Sequence, residues 1–177
     1  MKINIFDLYN TLVRNTTRLT PYRYIYKIIE EQNKFTNSRD FFEYSMKKNM
    51  YLQEILEEKK IVIEEKYIKE FKKLMEMEMS SIIFNEELIS MNKDKNNILL
   101  SNLSKEYYEP IIKLKSKMSF VQEILSYEVG MLKPDKNIFK LALNDKDSFK
   151  MYGDNYKLDI EPAIELGLET EQILKWW

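Results

Sequence analysis

Five side chains in this 177-residue sequence have the types and order needed to move a phosphoryl group: Asp7, Ser101, Lys133, Asp154 and Asp159. A carboxylate such as Asp7 attacks phosphorus and forms an acyl phosphate once another group lowers the charge repulsion between them. Mg²⁺ does this by bridging carboxylate and phosphate oxygens, which is the use predicted for Asp154 and Asp159. The Ser101 hydroxyl and the backbone N–H groups after it can hold the phosphate, and Lys133 can neutralise it. Taken alone, an Asp that follows a strand is most often a turn former or helix cap. The full set at successive strand ends is what points to chemistry.

Composition removes most competing chemistries. The chain has no His, which excludes a Ser-His-Asp triad, His-ligated zinc and a His general base. It has no Cys, which excludes disulfides, thiolate zinc sites and iron–sulfur clusters, and which fits a reducing cytoplasm. Three glycines (Gly130, Gly153, Gly167) cannot build a Walker loop or a G-x-G-x-x-G turn. Charge is balanced, 28 Lys+Arg against 29 Asp+Glu, with no basic segment of the kind that grips nucleic acid. The opening MKINIFDLYNTLV is interrupted by Asn4, Asp7 and Asn10, so it is no signal peptide. No apolar run approaches the ~18–20 residues that cross a bilayer. The expectation is a soluble cytoplasmic protein with no nucleic-acid or membrane partner.

The elements that must position these residues form an α/β pattern. Lys2–Phe6 reads as a strand ending at Asp7, and Asn97–Ser101 as a buried strand. Phe120–Ile124 and Ser148–Tyr152 read as two more, the last leading into Gly153-Asp154. Helical stretches near 104–114, 135–143 and 159–166 lie between or after them. This alternation predicts βαβ units in a parallel sheet, whose ligands bind beyond the carboxyl ends of the strands. Residues 14–92 differ: they hold no Gly, only Pro21, and apolar residues at helical spacing, such as Tyr22, Ile25, Tyr26 and Ile29. Thr20-Pro21 and Ser38 read as helix starts. The predicted organisation is a Rossmann-like core of 1–13 and 93–177 with a helical cap subdomain, 14–92.

The motifs resemble those of the haloacid dehalogenase (HAD) superfamily of aspartate-nucleophile hydrolases. They are Phe6-Asp7-Leu8-Tyr9-Asn10-Thr11-Leu12, Ile98-Leu99-Leu100-Ser101-Asn102, Ser126 to Asp135 around Lys133-Pro134, and Tyr152-Gly153-Asp154-Asn155 with Asp159. The resemblance implies a three-layer parallel-sheet core with an inserted cap. It implies Asp7 as nucleophile and Mg²⁺ ligand, with the Tyr9 backbone carbonyl and Asp154 completing the metal site and Asp159 supporting it. Thr11 and Ser101 would hydrogen-bond the phosphoryl group, and Lys133 would hold nucleophile and phosphate together. Tyr9, Asn102 and Arg39 are the candidate substrate contacts.

One position departs from the pattern. Phosphatases of this superfamily carry a second Asp two residues after the nucleophile, as proton donor and then base; here Tyr9 stands there. A phenol of ordinary pKa ~10 can donate a proton but is a poor base near neutrality. A Tyr at this position also resembles the superfamily's 2-haloacid dehalogenases, in which Arg39 would meet a substrate carboxylate. Asp154 followed by Asp159 resembles the metal-dependent version. Three readings follow: a Mg²⁺-dependent phosphatase for a small phosphorylated molecule, slowed by Tyr9; a dehalogenase; or a non-catalytic phosphate- or partner-binding homologue.

Other conspicuous residues have structural readings. Tyr22 to Lys27 interleaves aromatic and basic residues, but Tyr22, Ile25 and Tyr26 share a helix face and read as core. Met75, Met77 and Met79 read as cap packing, and Arg14, Arg18 and Arg23 as solvent-facing charges. After Gly167-Leu168 a strand is expected over 172–177, with no residues left for a closing helix. Trp176 and Trp177 should pack on the core or at a dimer contact, so the chain is expected as a monomer or homodimer.

Overall fold

Every residue of the first strand after Lys2 is buried, as expected of a central strand covered on both faces. The structure, a computed structural model, describes residues 1–33 and 38–176. In chain order, β1 (Lys2–Phe6) and a short β2 (Val13–Asn15) are followed by α1 (Pro21–Asn33), α2 (Ser38–Ser45), α3 (Leu52–Glu58) and α4 (Glu65–Ser80). β3 (Ile82–Phe84) and α5 (Glu86–Asn92) lead back to β4 (Asn96–Ser101), then α6 (Glu109–Lys115) and β5 (Gln122–Leu125). α7 (Ser126–Val129), α8 (Lys136–Lys140), β6 (Ser148–Gly153), α9 (Glu161–Glu165) and β7 (Glu169–Gln172) complete the chain.

The main sheet has the order β5-β4-β1-β6-β7 and every pairing is parallel. Ile5 faces Ile98 on one side and Met151 on the other. Alternation along the strands divides the core into two layers. Phe6 and Leu99 pack with Leu88, Ile111 and Leu114 on one face; Ile5, Leu100 and Met151 pack with Ile138, Phe139 and Ala163 on the other. This is an α/β fold, a Rossmann-like parallel sheet between helical layers. The strand order reverses at β1, so the crevice beyond the ends of β1, β4 and β6 is the site such a topology provides.

Helices α1 to α4 form their own core. Tyr22, Ile25, Tyr26 and Ile29 of α1 meet Phe41, Ile55, Phe71, Met75 and Met79, while Met77 is exposed. The segment 14–92 is not uniformly helical, however. β2 and β3 pair antiparallel, Val13 opposite Phe84 and Asn15 opposite Ile82, and form the ribbon between the four helices and the sheet. Helix α5 packs Leu88 and Ile89 against the sheet layer rather than against the other four helices. Three-residue strands are too short to display a period of two, and Ile82-Ile83-Phe84 reads as a continuation of the apolar pattern of α4.

Smaller shifts have similar causes. The strand expected at 120–124 runs from Gln122 to Leu125, and the expected helix at 104–114 begins as a 3₁₀ turn, Lys105–Tyr108, before α6. The helix expected over 135–143 is reduced to α8, and the one expected over 159–166 begins earlier, as a π-turn, Tyr156–Ile160, that runs into α9. The final strand is β7 at 169–172, not 172–177: Gly167, at φ +77, turns the chain back directly onto the sheet. Glu169-Thr170-Glu171-Gln172 has no apolar signal because it is an edge. Trp176 is half-buried against the turn after β1, its indole Nε1 donating to the Asn10 carbonyl at 2.9 Å with the Arg14 guanidinium 5.5 Å over the ring. Trp177 lies outside the described residues. Among the described residues no helix is long and apolar enough to cross a membrane.

Candidate active site

Asp7 is the first residue beyond β1, and its N–H donates to the Tyr152 carbonyl at 2.9 Å, so the neighbouring strand sets its backbone. The chain then doubles back: Leu12 and Val13 N–H both donate to the Leu8 carbonyl, with Asn10 at φ +62. Asn is among the few side chains that adopt this left-handed conformation readily. The turn places the Thr11 hydroxyl 3.4 Å from Asp7 Oδ2. Ser101, the last residue of β4, brings its hydroxyl to 3.4 Å from Asp7 Oδ1.

Lys133 lies between α7 and α8 and is buried, its Nζ 2.6 Å from Asp7 Oδ1 and 2.5 Å from Asp159 Oδ1. Asn102 fixes the Lys133 backbone, accepting from its N–H at 2.8 Å and donating to its carbonyl at 2.9 Å. The role of Asn102 seen here is thus to position Lys133. Asp159 is held from the other side by the Asn155 N–H, which donates to Oδ2 at 3.1 Å. Its side chain lies against Gly153, where an added Cβ would sit 2.4 Å from Asp159 Cβ. Glycine at the end of β6 is therefore required by the site and not by a turn. Asp154 follows, half-buried, with the Asn10 side chain donating to it.

The carboxylates of Asp7, Asp154 and Asp159 offer oxygens that all lie within 4.8 Å of one another. Burial pushes the Asp7 carboxyl up to about 7; Lys133 opposes this, while Asp159 and Asp154 add to it. Asp154 is raised as well, by burial and then by Asp159. Burial alone would lower Lys133, but Asp7 and Asp159 outweigh it and hold the ammonium charged. Three carboxylates around one ammonium leave excess negative charge, and a hard, oxygen-seeking divalent cation fits that donor set.

Tyr9 does not turn toward Asp7 with its hydroxyl. The hydroxyl reaches Met79 Sδ at 3.9 Å, and the ring meets Tyr107 edge-on, centroids 5.7 Å apart. Burial, with Glu78 and Glu109 nearby, pushes this phenol further above its ordinary range. Tyr9 and Asn102 line a cavity of about 210 Å³ between the sheet and the helical subdomain. Its other walls include Asn15, Tyr22, Phe42 and Tyr107, residues that sequence reasoning assigned to packing or passed over.

Arg39 is not brought to this site. Its side chain is 82% exposed on α2, with Nε 3.3 Å from Glu43, and it lines a separate depression with Arg23, Lys27 and Glu30. The face of α2 that turns inward carries Phe41 and Ser45, and Arg39 falls outside it.

No protein-family model matches the chain, and no curated protein matches it. Solved structures do. A HAD family enzyme from Bacteroides thetaiotaomicron, in complex with magnesium and inorganic phosphate, superposes with a TM-score of 0.67 at 18% identity, covering 100% of this chain and 96% of that one. A predicted HAD-like family hydrolase from Porphyromonas gingivalis gives 0.64 at 15%, covering 100% and 93%. A 2-haloacid dehalogenase from Pseudomonas syringae gives 0.58 at 15%, covering 96% and 85%. At these identities the likeness establishes a shared fold.

Proposed function

We propose that the protein is a Mg²⁺-dependent hydrolase of small phosphate monoesters, working through an aspartyl phosphate on Asp7. The observation that carries this is the trio Asp7, Asp154 and Asp159 gathered around Lys133 at the strand-order reversal. The similar B. thetaiotaomicron enzyme holds magnesium and phosphate, which supports the same use of the fold. Asp7 and Asp154 would hold Mg²⁺, with the Tyr9 carbonyl and support from Asp159. When bound, the ion neutralises charge shared by carboxylate and phosphate oxygens.

The rest follows from the chain's own groups. Lys133 orients Asp7 Oδ1 and leaves Oδ2, close to Thr11, to attack. The Ser101 and Thr11 hydroxyls are placed to donate to phosphoryl oxygens, a stabilisation that grows as charge develops on them. An Asp7 O–P bond forms as the ester O–P bond breaks. A water then attacks phosphorus, releasing inorganic phosphate and restoring the carboxylate. Tyr9, its hydroxyl on Met79, offers neither proton to the leaving oxygen nor base to the water, so the second step is slow.

The same Tyr9 favours a second reading, dehalogenation, in which halide leaves without a proton; a 2-haloacid dehalogenase shares the fold. Hydrolysis of an aryl phosphate, measured with and without Mg²⁺ in wild type and Asp7→Asn, tests the first reading. It predicts activity that needs both. Halide release from 2-chloropropionate in the presence of a chelator, with no phosphate release, would replace it with the second.

A further inference from the structure

The cavity beside Tyr9 adjoins the carboxylate site. Tyr9 stands two residues after Asp7 and Asn102 one after Ser101, and both line it. Its lining is mostly apolar: the rings of Tyr9, Tyr22, Phe42 and Tyr107, with Met46 and Leu103. Among the described residues no charged side chain lines it. The polar groups of the wall are engaged elsewhere. Tyr22 Oη donates to Glu106, and Tyr107 Oη to Glu78 at 3.2 Å. Asn102 holds the Lys133 backbone through both of its amide atoms. Ser104 Oγ lies 3.3 Å from Ser45 Oγ, and Asn15 Nδ2 donates to Glu78 at 2.9 Å while its Oδ1 is buried out of a ligand's reach.

Such a wall offers ring faces and aliphatic surface, which suit an apolar, planar group. A polyol or an amino acid would lose water here and find few partners for its hydroxyls or charges. Phe42 is 40% exposed, so part of its ring is left for such a group to cover. Size narrows the choice. The cavity measures about 210 Å³, and an apolar cavity of roughly 150 Å³ takes up benzene, so one six-membered ring fits. Chemistry narrows it again. Tyr9 gives the leaving oxygen no proton, so the leaving group departs as an anion. A phenol, with a pKa of about 10, does this readily. An aliphatic alcohol resembles water, with a pKa of about 15.7, and does not.

Resting on the hydrolase reading above, we propose that the substrate is the phosphate monoester of a single-ring phenol, its ring held in this cavity against Tyr9, Tyr22, Phe42 and Tyr107. As an Asp7 oxygen bonds to phosphorus, the ester O–P bond breaks and its electron pair leaves on the phenolate oxygen, spread into the ring. The phenolate takes a proton from water after release, and a second water hydrolyses the acyl phosphate to inorganic phosphate. The absent acid at position 9 and the aromatic cavity then select the same compound, one for its leaving group and the other for its shape.

The test compares kcat/KM for phenyl phosphate, benzyl phosphate and glycerol 3-phosphate, all with Mg²⁺. This ratio reports attack on the ester and not the slow hydrolysis that follows. Phenyl and benzyl phosphate share the ring, but only the first releases a phenol. Phenyl phosphate should exceed benzyl phosphate by at least about 10²-fold, the contribution an acid would have made. Benzyl phosphate should exceed glycerol 3-phosphate by about tenfold through burial of the ring. In Tyr9→Asp, which supplies an acid, the phenyl-to-benzyl ratio should shrink. Phe42→Ala, checked for folding by Tm, should cut phenyl phosphate more than acetyl phosphate, which has a good leaving group and no ring. Benzyl phosphate hydrolysed as well as phenyl phosphate, glycerol 3-phosphate ahead of benzyl phosphate, or equal losses in Phe42→Ala would each overturn the proposal and leave the hydrolase reading standing. Hydrolysis of none of the four would sink both.

Discussion

Asp7 should be a stability liability in the metal-free protein, and Asp7→Asn should expose it. Burial and two neighbouring acids push the Asp7 carboxyl from 3.8 to about 7, against the pull of Lys133. The folded state therefore holds this proton more tightly than the unfolded chain does. Stability is greatest below the unfolded value and falls as pH rises from about 4 to about 7, levelling off above. The difference sets a ceiling of about 4 kcal/mol at 1.36 kcal/mol per pKa unit. Asn removes the charge with little change of shape, and Lys133 keeps Asp159 at 2.5 Å. The pull of Lys133 is already counted in that ceiling; relaxation of the site around the ionised Asp7 lowers the net gain to about 1–2 kcal/mol, roughly 2–8 °C in Tm for a chain of this size. Thermal melts of both proteins in chelator from about pH 4 to about pH 8 should show curves that coincide at the acid end and separate as Asp7 ionises. Adding Mg²⁺ should raise wild type far more than the variant and narrow the gap. A variant less stable than wild type at about pH 8, or a gap that ignores pH, would refute the electrostatic account of the site.

Two further substitutions probe the groups around Asp7. Tyr9→Asp should raise steady-state hydrolysis of an aryl phosphate about 10²–10⁴-fold by supplying the missing acid and base. It should also abolish any burst of aryl alcohol and lower Tm through the lost contact with Tyr107 and Met79. Unchanged turnover in a folded variant would show that the slow step lies elsewhere. Gly153→Ala inserts a Cβ 2.4 Å from Asp159 Cβ and 2.6 Å from Asp159 Cγ, atoms of a buried side chain that cannot swing aside. Overpacking of this kind costs about 1–3 kcal/mol, and displacement of Asp159 should weaken Mg²⁺ binding in a titration followed by Tm. A variant with wild-type Tm and metal response would mean that Asp159 is not held where it appears.

Most of what gathers around Asp7 is legible in the chain because each residue there answers a local rule. Asp7, Ser101 and Asp154 each end an apolar run, and a parallel sheet sends all strand ends to one side. Lys133 is legible only by its company, since the loop that carries it has no periodic pattern. What escapes is the part built between segments distant in sequence. Asn15, Tyr22, Phe42 and Tyr107 come from a ribbon, two helices and a 3₁₀ turn, and no spacing rule connects them. Asn102 reads as a substrate contact, and its amide is spent on the Lys133 backbone, a pairing across 31 residues. Arg39 fails for the opposite reason. Its type suited a substrate anion, but which face of α2 turns inward is decided by Phe41 and Ser45.

On the hydrolase reading, a Tyr at position 9 makes physical sense once its surroundings are counted. An ionised carboxylate there would face the region held by Glu78 and Glu106, with no Lys or Arg among the described residues of the intervening cavity wall. At an effective dielectric of about 20, like charges several ångströms apart repel by a few kcal/mol. The Tyr9 ring avoids that repulsion and closes the wall against Tyr107. On the hydrolase reading, the side chain at this position thus contributes packing against Tyr107 and Met79 in place of proton transfer.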